Sequence, residues 1–410
     1  MNAPLTPPPG PLQIRRGEKG FARIATAFFL GSFAIFSLLY SVQPLLPILA
    51  REFRLSPAGA SLALSVATLT MAPSLLLAGS VSEVWGRKRI MIAALAASSA
   101  ATLLCALAPN WSALIALRAL TGLALSGLPA VAMAYLADEI APASLGLAMG
   151  LYISGSTLGG MLGRLTSAAL ADRWNWRVAV AALGVEGLIG AAYFLYALPR
   201  ERAFRAKPFR VRELAATLLD HFRDPGLRLL FAEGFLVMGA FVCAYNYLGF
   251  RLAAAPFSMS ATQVGLVFLI YLAGAVGSTV MGELSGRFGR RRVLWTASAV
   301  GLVGILVTLP DHLWSALVGL TLLTWAFFGA HSISASWVGL RATRGRAQAT
   351  ALYLFFYYLG SSVAGSVGGL SYQRWGWNGA AGLIGALLSG ALVAAWRLAT
   401  IPPPAGWPRS

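Results

Sequence analysis

Gly79-Ser-Val-Ser-Glu83-Val-Trp-Gly86-Arg87-Lys88-Arg89 returns, loosely, as Gly282-Glu-Leu-Ser-Gly286-Arg287-Phe-Gly289-Arg290-Arg291-Arg292. Each stretch opens on a glycine at the end of an apolar run, carries another glycine seven positions on and closes in a basic cluster. The two starts are 203 positions apart in a chain of 410 residues. A second pair of segments repeats at nearly the same interval. Leu151-Tyr152 aligns with Leu352-Tyr353, and Leu158-Gly159 with Leu359-Gly360, at an offset of 201. Independent features therefore agree on one internal duplication, and in a chain this apolar such halves point to a membrane transporter with a pseudo-two-fold axis.

The residues are 58% hydrophobic and only 11% charged, with a mean hydropathy of +0.71. A soluble chain carries about a quarter charged residues. About 20 apolar residues cross a hydrocarbon core as a helix. The apolar runs are continuous rather than alternating, which disfavours a barrel. Spans are expected at residues 22–46, 58–82, 90–108, 112–137, 144–170, 176–198, 229–252, 261–285, 292–310, 313–339, 347–370 and 377–398. The fold class is thus an all-α polytopic membrane protein. Its expected parts are a disordered cytoplasmic tail (1–20), an N-terminal six-helix bundle (21–199), a linker (200–228), a C-terminal six-helix bundle (229–398) and a second tail (399–410). In the linker, Val211, Leu214, Ala215, Leu218, Leu219 and Phe222 recur with helical spacing, so an amphipathic helix is expected at the membrane surface.

The formal net charge of +18 would suggest nucleic acid in a soluble protein. Its placement argues otherwise. With the N-terminus inside, the cytoplasmic segments collect 24 Lys and Arg against 6 on the other side, namely Arg51, Arg54, Arg173, Arg177, Arg251 and Arg374. The positive-inside rule then puts both termini in the cytoplasm and the chain in a bacterial-type inner membrane, with lipid and not nucleic acid as its surroundings. Cys105 and Cys243 fall in spans of different halves, so neither a disulfide framework nor a zinc site organises the fold.

The first loop resembles the signature loop between the second and third helices of each half in the major facilitator superfamily, though Gly286 stands where the second copy usually has an acid. Arg118-Ala-Leu-Thr-Gly122 resembles the fourth-helix motif of that superfamily's twelve-helix drug:proton antiporter branch, with Thr121 in place of the usual Gln. The fifth-helix glycines Gly159 and Gly160 also fit that branch, without its Pro, and span one lacks the acid that many exchangers carry there. The resemblance covers residues 21–397. It implies twelve helices in two pseudo-symmetric bundles and a gating latch built from Gly79, Glu83, Gly86, Arg87 and Arg89. It also implies a part for Arg118 in proton transfer.

The residues themselves offer further candidates. A charge inside a span costs about 3 kcal/mol on insertion scales and should face a cavity or a partner. Arg118 and Arg164 are two such charges; Arg164 reads either as a gating or substrate contact or as an interface anchor. Intramembrane acids are few, with Glu186 in span six, Glu233 near the start of span seven and Glu283 near the end of span eight. His331 is the one histidine in a span and suits proton handling. Aromatic and amide groups gather on spans one, seven, eight and eleven. Tyr40, Arg118, Tyr245, Asn246, His331, Tyr353 and Tyr357 are therefore candidates for substrate binding, and His331, Glu233, Glu186 and Arg118 for proton coupling.

The expected function is secondary active transport without a cofactor or metal: proton-coupled export of a small amphiphilic or aromatic solute by a monomer. Transport of an anionic metabolite in either direction is the alternative, favoured by two intramembrane Arg and few acids. An enzyme is disfavoured because no catalytic cluster appears in the spans. A receptor or scaffold is the remaining class, which nothing in the sequence requires.

Overall fold

Within a bilayer every backbone N–H and C=O must be satisfied inside its own segment, so apolar runs of this length become helices. The computed structural model describes residues 13–199 and 211–402. It has α1 at Lys19–Tyr40, α2 at Pro57–Trp85, α3 at Arg87–Ala106, and α4 in two pieces, Trp111–Leu125 and Ala132–Glu139. Next come α5 at Pro142–Arg173, α6 at Trp176–Ala197, α7 at Pro225–Ala253, α8 at Ala261–Phe288, α9 at Arg290–Val307 and α10 at Leu313–Arg341. The final helical stretch, Arg346–Thr400, leaves helical φ/ψ at Trp375 and Gly376 and is two helices, α11 (346–374) and α12 (377–400). Among the described residues nine helical stretches are long and apolar enough to span, the last of them two helices, and α4 and α9 bring the bundle to twelve.

The duplication recurs in backbone conformation. α2 ends at Gly86 with φ 95° and ψ 137°, and α8 ends at Gly289 with φ 87° and ψ 140°. Only glycine adopts that geometry without strain, so each half turns its second helix into its third at the same kind of residue. Helix starts are capped by side chains that take up orphan amides: Ser56 for α2, Asn110 for α4, Asn175 for α6 and Asp224 for α7.

Three boundaries differ from the hydropathy reading. α1 stops at Tyr40, not 46, because Pro44 and Pro47 cannot donate to a helical ladder; a short helix, Leu46–Glu52, follows. α7 begins at Pro225, inside the expected linker of 200–228, because Asp224 caps it and proline suits a first turn. Of the tail expected to be disordered over 1–20, residues 13–20 are described, and they are held against the bundle. Ile14 N–H donates to Glu139 O at 2.9 Å and Ala141 N–H to Ile14 O at 3.0 Å. Ile14 is half-buried there, so an apolar side chain and two backbone bonds hold the segment on the α4–α5 turn.

The linker helix is Val211–His221. It is tied down at its end, where His221 Nε2 lies 3.2 Å from Gly345 O and the Phe222 ring packs on Phe231 and Phe356. The rest of the expected linker, residues 200–210, lies outside the described residues, as do 1–12 and 403–410 of the expected tails.

Both ends of the described chain and both basic loops lie on one face of the bundle, here termed the basic face. Ile14 sits on the α4–α5 turn, and Arg291 Nη2 donates to Ile401 O at 2.8 Å. On the opposite face the halves touch closely. A Cβ on Gly369 of α11 would lie 2.3 Å from Ala58 Cα of α2, and one on Gly265 of α8 would lie 2.6 Å from Ala168 Cβ of α5. Asp172 Oδ2, at the end of α5, accepts from Ser260 Oγ at 3.0 Å, Thr262 N at 3.2 Å and Thr262 Oγ1 at 2.6 Å at the start of α8. Toward the basic face the same helices part. Gly79 in α2, Gly146 and Gly150 in α5 and Gly282 in α8 have no atom within 4 Å of a built Cβ. Leu69, on the α2 face that meets α11 at Ser65, is already 46% exposed. The halves are closed at one face and open at the other.

Candidate substrate site between the two halves

Glycines set the site's walls. On α5, Gly155, Gly159 and Gly163 recur every fourth residue, and a Cβ on them would lie 2.3 Å from Phe29 O, 2.1 Å from Phe33 O and 2.5 Å from Ser37 Oγ. The backbones of α1 and α5 therefore touch. In the other half, a Cβ on Gly360 would lie 2.1 Å from Phe235 O, the same contact between α11 and α7. The close approach of α5 to α1 delivers Arg164, next to Gly163, to the midline beside Tyr40 and Gln43.

Arg164 is 2% exposed. Its Nε donates to Gln43 Oε1 at 2.6 Å and its Nη1 to Gly160 O at 2.5 Å. Its guanidinium carbon lies 4.1 Å from the ring centroid of Tyr40, 4.8 Å from Tyr271 and 5.1 Å from Phe268. Each such cation–π contact contributes about 0.5–2 kcal/mol according to how dry it is. Arg164 makes no ion pair among the described residues. Gln43 completes the link across the halves, its Nε2 donating to Asn246 Oδ1 at 2.7 Å. Arg164, Gln43 and Asn246 thus form one polar chain through α5, the α1–α2 turn and α7, with the cation at one end.

Rings continue outward from this centre. Tyr245 stacks on Phe268 at 5.2 Å and lies edge-on to Tyr271 at 5.2 Å, with its hydroxyl 2.7 Å from Thr324 Oγ1. Phe241 stacks on Phe327 at 3.8 Å, and Phe327 packs against His331 and Tyr357. His331 Nδ1 is 2.9 Å from the Tyr353 hydroxyl, and its ring is 4.7 Å from that of Tyr357. On α1, Phe29, Phe33 and Phe36 are half-buried whereas Tyr40 is buried, so the lining closes over toward the opposite face.

The sequence candidates therefore fall into groups. Tyr40, Arg164, Tyr245 and Asn246 converge at the centre; His331, Tyr353 and Tyr357 form a contiguous wall on α10 and α11. Arg118 is elsewhere. It is buried within the first half, donating from Nε to Ala63 O at 2.8 Å, from Nη2 to Leu39 O at 2.8 Å and from Nη1 to Leu38 O at 3.2 Å. Its fork closes the α1–α2–α4 packing and reaches no residue of the second half. Glu186 on α6 accepts from Ser37 Oγ at 3.1 Å, and Glu233 accepts from Ser298 Oγ at 3.3 Å. In each, the other carboxylate oxygen is buried without a hydrogen-bond partner.

Among the latch candidates, Arg87 pairs with Asp138 at the end of α4 and donates to Ala134 O at 3.0 Å. Glu83 and Arg89 are exposed, and Glu83 has no ion pair among the described residues. Gly79 faces open space, and Gly86 makes the turn.

Gln43, Phe268 and Tyr271 were not among the candidate site residues. The signal for Gln43 was present: it stands 203 positions before Asn246, the interval of the loop repeat.

A family model described as Major Facilitator Superfamily matches residues 28–254 and again 234–410. The chain is 46% identical over 385 residues to the inner membrane transport protein YnfM of Escherichia coli strain K12, covering 94% of this chain and 92% of that one. It is 42% identical over 383 residues to the MFS-type transporter YybF of Bacillus subtilis strain 168, covering 93% and 94%. Among solved structures, a bacterial homologue of the human lysosomal transporter Spinster, inward-facing and occupied, superposes with a TM-score of 0.74 at 15% identity, over 94% of this chain and 97% of that one. The nucleoside transporter NupG gives 0.74 at 12% identity, over 92% and 99%. These two likenesses concern the fold.

Proposed function

The chain belongs to the Major Facilitator Superfamily, and on that premise we propose that it carries a small organic anion across the inner membrane by alternating access, with Arg164 as the anchoring group. It is a multi-pass membrane transporter, not an enzyme. The observation that carries the proposal is the Arg164 guanidinium, buried where the halves meet and, among the described residues, in contact with an amide, a carbonyl and ring faces but no carboxylate. A buried cation without a carboxylate is costly, and an anionic solute supplies the missing charge for as long as it is bound. With the basic face in the cytoplasm, as the positive-inside rule favours, the conformation described is open to the cytoplasm and the next step is closure around the solute.

The test is transport in proteoliposomes. Anion flux is expected to fall at least tenfold in Arg164→Gln and to recover partly in Arg164→Lys, where the charge stays but the planar fork is lost. Flux of an organic cation, with no anion carried and no loss in Arg164→Gln, would overturn the reading.

Proton-coupled export is a second reading, supported by Glu186 and Glu233, each with one carboxylate oxygen buried and without a partner. The His331–Tyr353 pair borders the same lining. Arg118 cannot carry a proton, since a guanidinium stays charged, and its three carbonyl acceptors favour a structural part. The expected observation is proton release when solute is added to purified protein, lost in Glu233→Gln or His331→Gln. Absence of release in the wild type would remove the coupling. The carrier acts as a monomer in this reading, since one chain supplies both halves.

A further inference from the structure

We infer that the solute is a monovalent carboxylate carrying an aromatic or similarly flat ring. This rests on the organic-anion reading above and narrows it. A guanidinium has five N–H donors. In Arg164 the Nε–H is committed to Gln43 and one Nη1–H to Gly160. The remaining three, one on Nη1 and both on Nη2, have no hydrogen-bond acceptor among the described residues. Nη2, with both its hydrogens uncommitted, and the free Nη1–H are donors that a carboxylate can meet with two parallel bonds.

The charge count fixes the valence. Arg164 is one cation with no carboxylate partner among the described residues, and Arg118 has each of its three nitrogens on a main-chain carbonyl within the first half. The other donors around the guanidinium are neutral. The Tyr271 hydroxyl, on a ring that lies against the guanidinium, is buried and without a hydrogen-bond partner among the described residues. Neutral donors satisfy the lone pairs of one carboxylate; a second full negative charge would be left in an apolar enclosure without compensation.

The ring follows from the walls. Tyr40, Phe268 and Tyr271 flank the guanidinium, and Phe241, Phe327 and Tyr357 extend the surface away from it. Aromatic side chains recognise a flat ring by offset stacking or edge contact beyond simple burial. Most of these rings already pair with one another, as Phe241 does with Phe327, and Tyr357 is the half-buried member. A flat ring on the solute would extend the stack there, while a short aliphatic acid would use the cation alone.

The experiment measures ligand affinity of the purified full-length chain by thermal stabilisation, with four probes: phenylacetate, acetate, phenylmalonate and tetraphenylphosphonium. Phenylacetate is expected to bind at least tenfold more tightly than acetate, which lacks the ring, and than phenylmalonate, which adds a second charge. Acetate or phenylmalonate matching phenylacetate would overturn this inference and leave the organic-anion reading in place. Stabilisation by tetraphenylphosphonium alone would overturn the organic-anion reading itself. Gln43→Glu serves as a near-isosteric variant that sets a carboxylate on the Arg164 Nε and cancels its charge. Phenylacetate affinity is expected to fall at least tenfold in it, and unchanged affinity would also overturn the inference. Since the probe series is read in the wild-type protein, the outcome does not depend on any variant folding.

Discussion

The side chains of Gln43 and Asn246 meet in a hydrogen bond of 2.7 Å, and they stand 203 residues apart, as Gly86 and Gly289 do. Two positions related by the internal duplication thus face each other on the pseudo-two-fold axis. The chain has kept an amide at both, and Arg164 leans on one of them. Each half contributes one equivalent group to a bond that neither half contains alone.

Gln43→Leu should remove the acceptor of Arg164 Nε and the donor to Asn246 together. Leaving a buried donor unmatched costs about 1–3 kcal/mol, and more when it is charged. The variant is expected to lose stability on that scale in thermal unfolding and to lose transport. Wild-type behaviour in both would show that the amide bridge contributes nothing.

Asp172 holds the start of α8 through Ser260 and Thr262, where a carboxylate also meets the positive end of a helix. Asp172→Asn should weaken closure on the opposite face and shift the population toward opening there. Thiol labelling of a cysteine placed at Ala58 reads this directly, because Cys105 and Cys243 are both buried. The labelling rate is expected to rise severalfold; an unchanged rate would count against Asp172 as a closing contact.

Arg118→Lys keeps the charge but not the fork. One ammonium cannot reproduce three bonds aimed at Ala63, Leu38 and Leu39 from separate nitrogens. Hydrogen bonds from a charged group contribute about 1.5–3 kcal/mol each. A loss of about 2 kcal/mol or more is expected in unfolding, accompanied by lower expression. A stable variant that fails only in proton-driven transport would instead return Arg118 to the coupling machinery.

Arg87 and Asp138 are partly exposed, so their ion pair should contribute at most about 1 kcal/mol to stability. Asp138→Asn is therefore expected to express normally and unfold like the wild type while turning over more slowly. Glu83→Gln should do the same if Glu83 finds its partner only when the basic face closes. Full transport rates in Glu83→Gln would remove it from the latch.

The fold was legible because the hydrophobic signal is long and repeated. The twelve spans, the paired loops at Gly79 and Gly282 and the glycine faces of spans five and eleven all follow from residue type and interval. Boundaries were less legible where one residue overrides hydropathy, as Pro44 does for the end of α1 and Asp224 for the start of α7. The gap in α4 at Ser126–Val131 went unread although Gly127 and Pro129 mark it. At the site, periodicity identified aromatic spans but not which rings converge, since that depends on how two separate bundles meet. Gln43 was hidden in an apolar run, and Arg118 and Arg164 looked alike in sequence. Only the acceptors around them separate a guanidinium with a main-chain carbonyl on each nitrogen from one whose Nη2 meets no acceptor among the described residues.

The Ser362 hydroxyl donates to Ser65 O at 2.7 Å, between the tight contact at Gly369 and the gap toward the basic face. Taken as a fulcrum, it divides α11 unequally. The seven residues to Gly369 make a short arm of about 10 Å, and the sixteen to Arg346 a long arm of about 24 Å. Any sideways displacement at the short end is geared up more than twofold at the mouth. A methyl group added at Gly369, seemingly a remote touch, would therefore be felt most at the entrance, far from where it was placed.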